Sequence, residues 1–159
     1  MAEFSHLDDQ GRVRMVDVSE KAETDRRAVA CGAVYMQAET LERIVGRDVK
    51  KGNVLETARI AGIMAAKQTA ALIPLCHPLN PTHIGIDFQP DTAAGCIRIQ
   101  AEVRVRQRTG VEMEALTAVC VAALTIYDMC KSYDRAMTLS EVGLLEKSGG
   151  KSGAFRRRP

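Results

Sequence analysis

Aromatic residues are scarce: three Phe, three Tyr and no Trp make up 4% of the 159 residues. A chain so poor in flat side chains offers no platform on which unstacked bases could lie. An excess of one charge is also missing, since 22 Lys and Arg against 20 Asp and Glu leave a net charge of +2. That is not the basic footprint that neutralises duplex phosphates, and nucleic acid is excluded as a partner. Arg156–Arg158, the one like-charged run, reads as a solvated tail. The five cysteines (Cys31, Cys76, Cys96, Cys120, Cys130) are odd in number and include no CxxC pair. This argues against a disulfide framework and suits a reducing cytosol. Three histidines without an HxxxH spacing supply no metal-ligand set. No signal-peptide core opens the chain, and no apolar run approaches a membrane span. The expectation is a soluble, cytoplasmic protein with no membrane partner.

What is present suffices for one domain with a substantial core. Residues 1–27 are polar and aperiodic, as in a flexible N-terminal segment. A single domain is expected over 28–147, followed by a flexible Gly/Lys/Arg-rich tail over 148–159. Val29–Gln37 reads as a strand, and Thr40–Val45 could form a short helix. Asn53–Ile73 is an apolar helix opened by an Asn53 cap with Glu56 three residues on, and stopped by Pro74. Thr82–Phe88 alternates. After a turn, Ile97, Ile99, Ala101, Val103 and Val105 alternate with Arg98, Gln100, Glu102, Arg104 and Arg106, the pattern of an antiparallel strand with one wet face. A long apolar helix follows Thr109, and Met137–Leu145 is a last strand. The order β-(α)α-β-β-α-β predicts an α+β, ferredoxin-like split βαβ: an antiparallel sheet with helices packed on one face.

The long helix, TGVEMEALTAVCVAALTIYDMCK, raises a question. No charge occurs between Glu114 and Asp128, yet carboxylates stand at both ends. Thr109 with Glu112 matches a capping box, which would explain Glu112 structurally. Asp128 lies in the last turns, where the macrodipole disfavours an anion; pairing with Lys131 would compensate only slightly. A local rule broken without a stability gain points to function. Glu112 and Asp128 are roughly 24 Å apart on a straight helix, so one small-molecule pocket can use both only if it is shared between subunits.

Elsewhere, PLCHPL holds Cys76 and His77 between two prolines, which fixes the imidazole cheaply. Lys67 stands alone in an apolar stretch and could simply snorkel. Lys50-Lys51 beside Gly52, and Lys147 and Lys151 around Gly149-Gly150, are either surface charge or cations that close over an anion. The string GGKS is not a P-loop, because Leu145 stands where the first glycine is required. Asp and Lys groups suited to proton transfer, a fixed His and loose cations together suit acid–base chemistry on a small phosphorylated molecule. The rival reading is a non-catalytic ferredoxin-like module that binds and regulates through a nucleotide.

The segments MVDVSEKAETDRRAVA, KKGNVLETARIAGIMAAKQTAALIPLCHPL, TGVEMEALTAVCVAALTIYDMCK and LLEKSGGKSG, in that order from about Met15 to Gly153, resemble the signatures of the MoaC family. These are the cyclic pyranopterin monophosphate synthases of molybdenum cofactor biosynthesis. The resemblance implies a lyase that rearranges 3′,8-cyclo-7,8-dihydroguanosine 5′-triphosphate, made from GTP by a radical enzyme, into cyclic pyranopterin monophosphate with release of diphosphate. It implies a homohexamer built as a trimer of dimers with the pocket at an interface; no cofactor is expected. By matched motif, Asp128, Lys51 and Lys131 would be the catalytic groups. Leu75, Cys76, His77, Met113 and Glu114 would contact substrate, with Arg26, Lys67, Thr109, Glu112, Lys147 and Lys151 completing the pocket or binding phosphates. The family usually has Asp where Asn53 stands; both residues cap helices equally well.

Overall fold

The computed structural model describes Leu7, residues 10–151 and residues 153–158. Along the chain run β1 (Thr24–Tyr35), α1 (Ala38–Val45), α2 (Val54–Lys67), α3 (Thr69–Leu72), β2 (His83–Asp91), β3 (Cys96–Gln107), α4 (Glu112–Cys130), β4 (Thr138–Ser148) and β5 (Phe155–Arg156). The sheet order is β2-β3-β1-β4-β5, and every neighbouring pair is antiparallel. β3 lies between β1 and β2, which run the same way because α2 carries the chain back across the sheet. That is the ferredoxin-like split βαβ, as the alternation and helix signals predict.

The β3 pattern does what its spelling requires. Ile97, Ile99, Ala101, Val103 and Val105 are buried beneath the helices. The opposite face carries a charge lattice in which Arg27 bonds Glu102 at 2.5 Å and Glu146 at 2.9 Å. Two glycines let the layers close. An added Cβ at Gly62 would stand 2.9 Å from the Ala118 carbonyl oxygen of α4, and one at Gly32 would stand 2.6 Å from Val119 Cγ1. α4 is therefore pressed against both α2 and the sheet.

Several boundaries differ from expectation. β1 starts at Thr24, paired with Gln107, and not at Val29. β5 pairs Phe155 with Lys147 and Arg156 with Glu146. Regular pairing thus runs past both ends of the 28–147 stretch. Asn53 caps α2 by accepting from the Glu56 N–H at 3.2 Å, but the expected single helix to Ile73 is broken at Gln68. The buried Thr69 hydroxyl donates back to the Ala65 and Ala66 carbonyls at 3.3 and 3.1 Å, competing with the helical N–H donors. The five cysteines are unpaired.

The expectation that no segment reaches the length of a membrane span is corrected by α4. Its 19 residues are long and apolar enough to cross a membrane by length and composition. In the fold, ten of them, among them Ala115, Ala118, Val119, Ala122 and Ile126, are buried.

Candidate functional site

β3 is followed by Arg108-Thr109-Gly110, and α4 begins two residues after Gly110. The capping box expected here does not form: Val111 is the N-cap residue, and no side chain caps α4. An uncapped end of a long helix keeps its partial positive charge and its N–H donors available to an anion. Glu112, released from capping, turns to Lys147 at the end of β4, 3.0 Å away. Around this pair lies a cavity of about 850 Å³, bounded by Lys21, Arg26, Arg108, Thr109 and the turn Ser148–Lys151.

That turn depends on glycine. Gly149 and Gly150 have φ of +94° and +75°, a region that costs a residue with a Cβ about 1–2 kcal/mol. The Arg26 guanidinium also occupies the space where a Gly150 side chain would go. Arg26 donates from Nε to the Gln107 carbonyl at 3.3 Å and from Nη2 to the Arg108 carbonyl at 3.1 Å. It braces the end of β3 against the glycine turn.

A second cavity, about 430 Å³, shares Lys21, Thr109, Gly110 and Glu112 with the first. The two form one cleft with two lobes. The second lobe adds Leu75, Cys76 and His77 from the proline-bracketed loop, and Met113 and Glu114 from the first turn of α4. His77 Nε2 lies 2.8 Å from the Val16 carbonyl oxygen, and Arg108 Nη1 donates to the Ser19 carbonyl at 2.9 Å. Residues 16–21 are thereby held along the cleft. Glu114 is only 4% exposed. Burial, with a smaller push from the neighbouring Glu112 charge, raises its carboxyl to about 7 against a partial offset from its own backbone N–H. The Cys76 thiol is pushed up by burial and then by Glu114. This lobe therefore holds a carboxyl that can gain or lose a proton near neutrality.

The other end of α4 carries a separate cluster. Asp128 Oδ1 accepts from Lys131 Nζ at 2.7 Å, and Oδ2 accepts from Lys51 Nζ at 3.3 Å. Lys51 also donates to the Asp128 backbone carbonyl at 2.7 Å, which answers one of the helix's unmatched C-terminal acceptors. Hydrogen bonds from Lys131 first and Lys51 second hold the Asp128 carboxyl below the usual range, and Asp128 raises Lys131 in return. All three side chains are about half exposed.

The residues singled out from sequence thus fall into two groups. Arg26, Thr109, Glu112, Lys147 and Lys151 line the first lobe, and Leu75, Cys76, His77, Met113 and Glu114 the second. Asp128, Lys51 and Lys131 stand at the far end of α4, roughly 24 Å away by helical rise. Lys67 is exposed at the end of α2 and lines neither lobe. Sequence reasoning missed Lys21 and Arg108. Arg108 adjoins Thr109 and was within reach of the motif, whereas Lys21 sits in a segment with no periodicity to mark it.

Fold and cleft define a class: a ferredoxin-like α+β protein with a cationic, glycine-lined cleft at the N-terminus of its core helix. The model of the MoaC family matches residues 15–150. The cyclic pyranopterin monophosphate synthase of Desulforapulum autotrophicum is 66% identical over 155 residues, 98% of this chain and 95% of that protein. The enzyme of the same name from Desulfatibacillum aliphaticivorans is 63% identical over 98% of both chains, and that of a Roseiflexus species 58% identical over the same shares. The chain belongs to the MoaC family.

Proposed function

We propose that the protein is a cyclic pyranopterin monophosphate synthase acting in molybdenum cofactor biosynthesis, a lyase that rearranges 3′,8-cyclo-7,8-dihydroguanosine 5′-triphosphate and releases diphosphate. The observation that carries this reading is the two-lobed cleft: cations around a glycine turn in one lobe, a buried carboxyl and a fixed imidazole in the other. A triphosphate suits Lys21, Arg108, Lys147, Lys151 and the turn at Gly149-Gly150, where backbone and cations can share the charge. The ring system suits the lobe of Leu75, Cys76, His77, Met113 and Glu114. Arg26 braces the first lobe, and its Nη1 remains beside Gly150.

Proton transfer falls to the Asp128 cluster. Asp128 holds Lys131 protonated, which suits the acid role, and also binds Lys51. One chain cannot bring this cluster to its own cleft, so the working form is a homo-oligomer in which each pocket takes Asp128, Lys51 and Lys131 from a neighbour. A hexamer made of three dimers satisfies this. The substrate arrives from a radical GTP cyclase, and the reaction proceeds in the cytoplasm.

The test is to incubate the purified protein with the cyclised guanosine triphosphate and measure diphosphate, beside Lys51→Ala and Asp128→Ala. Release by the parent and a fall of about 100-fold or more in each variant is expected. Tight binding without diphosphate would replace the enzyme with a non-catalytic nucleotide-binding module. Co-assembled Glu114→Ala and Asp128→Ala chains should recover part of the activity that neither has alone; no recovery would contradict the shared pocket.

A further inference from the structure

Lys51 stands on an irregular loop, residues 46–53, between α1 and α2. A lysine gives up much rotamer freedom when it is held in one place, yet its Nζ makes two bonds to Asp128, at 2.7 and 3.3 Å. Such a contact needs a loop that is itself fixed. Two bonds fold the loop locally: the Asp48 N–H to the Arg43 carbonyl at 2.8 Å, and the Gly52 N–H to the Val49 carbonyl at 2.9 Å. Arg47 takes a φ of +58°, a left-handed conformation that a residue with a Cβ keeps only where its surroundings impose it.

Tyr133 ties this loop to the Asp128 end of α4. Its hydroxyl accepts from the Lys50 N–H at 3.3 Å, one residue before Lys51. Its own N–H bonds the carbonyl of Cys130, the last residue of α4, at 2.8 Å. The Arg43 guanidinium, from α1, lies over the Tyr133 ring at 5.1 Å from the centroid, while its amino groups bond Glu39 at 2.9 Å and Asp48 at 3.4 Å. The neighbouring Asp134 is 3% exposed and accepts from the N–H groups of Gln37 and Ala136, each at 2.9 Å. That fastens the turn after α4 to the start of α1.

We propose that Tyr133 is a positioning residue of the acid–base cluster: clasped by Arg43, it sets the loop so that Lys51 meets Asp128. Tyr133 lines neither lobe of the cleft and acts only through Lys51. The placement of Lys51 stands on geometry alone; its consequence for the rate rests on the function proposed above. Misplacing a reacting group by about 1 Å can cost about 100-fold in rate, and Lys51 follows the tied N–H directly. Packing alone would also give Tyr133 a place, since its ring touches the core. Tyr133→Phe separates the two roles: the ring and the stacking of Arg43 stay, and the acceptor for Lys50 goes.

Trace acylation tests the clasp. Dilute acetic anhydride modifies lysine amines according to how freely they present a lone pair, and peptide mass spectrometry reads Lys51 and Lys131 separately. Lys51 must release its bonds to Asp128 before it reacts. Tyr133→Phe is expected to speed its acylation by about 2–10-fold, the worth of one net hydrogen bond, with Lys131 unchanged. In the diphosphate assay kcat should fall about tenfold with KM unchanged. Arg43→Lys, which keeps the charge but lacks the flat guanidinium, should move both readouts in the same direction. Lys51 acylation that stays at the parent rate in both variants would overturn the proposal. So would an equal rise at Lys131, which would mean general loosening of this end of α4, or a faster Lys51 with kcat unchanged. A faster Lys51 alone, in a protein whose parent releases no diphosphate, would uphold the clasp and overturn the enzymatic reading.

Discussion

Glu114→Gln is the sharpest test of how α4 is balanced. The carboxyl is 4% exposed, and burial lifts it from an ordinary 4.5 to about 7. Between those values the folded protein keeps a proton that the unfolded chain has released. Stability therefore falls as pH rises across that window, at up to about 1.4 kcal/mol per pH unit. Fully ionised, the buried carboxylate costs the fold about 3 kcal/mol relative to its protonated form. Glutamine has the same shape and no charge to desolvate. At pH 5, just above the ordinary carboxyl value, parent and variant should unfold within about 1 kcal/mol of each other. At pH 8 the variant should be more stable by about 2–3 kcal/mol, a rise in melting temperature of roughly 4–12 °C for a chain of this size.

Thermal or urea unfolding at pH 5, 6, 7 and 8 reads this directly, at one protein concentration so that assembly does not shift the midpoint. Taking the difference between parent and variant cancels groups that titrate independently of Glu114. Curves that run parallel across the whole range would refute the burial argument, since they would mean that Glu114 carries the same charge folded and unfolded. The same substitution should lower diphosphate release, so that stability and activity move in opposite directions, as expected of a group kept for chemistry.

Three further outcomes follow from the packing. Asn53→Ala removes the acceptor for the Glu56 N–H and should cost about 1 kcal/mol, while Asn53→Asp should be close to neutral; urea midpoints distinguish them. Gly62→Ala would ordinarily stabilise a helix by about 1 kcal/mol, but here the new Cβ meets a backbone oxygen of α4 at 2.9 Å. Overpacking of about 1–3 kcal/mol should prevail, giving a lower melting temperature. Gly150→Ala, forced into positive φ against Arg26, should raise KM for the cyclised triphosphate about tenfold with a smaller change in kcat.

What could be read from the sequence was what local chemistry decides. The alternation of β3 and the Asn53 cap each need only a few neighbouring residues, and the fold follows from their order. The break at Gln68 depends on where the Thr69 hydroxyl points once buried, and the helix formers on either side conceal it. Thr109 and Glu112 spell a capping box, yet Lys147 at the end of β4 claims Glu112, a contact made only when the sheet has formed. The candidate site followed the same division. Motifs named its residues, but the bracing of Arg26 against Gln107, Arg108 and Gly150 is tertiary, and so is the separation of the two groups along α4.

That separation explains why α4 carries its ionisable groups only at its ends. The middle of the helix is apolar because the sheet and α2 bury most of it. A charge there would have no partner and would cost several kcal/mol, against a total stability of about 5–15 kcal/mol for a domain. At its two ends the helix meets loops and solvent, where Glu114 can hold its proton and Asp128 can collect two lysines. Each end taken alone breaks a helix rule: a buried acid in the first turn, an exposed anion in the last. In the shared pocket proposed above, the two exceptions of neighbouring copies face one another across a single cleft. A helix of this length then sets the spacing between two identical pockets, and shortening it by one turn would move the lysines of each copy out of the other's reach by about 5 Å.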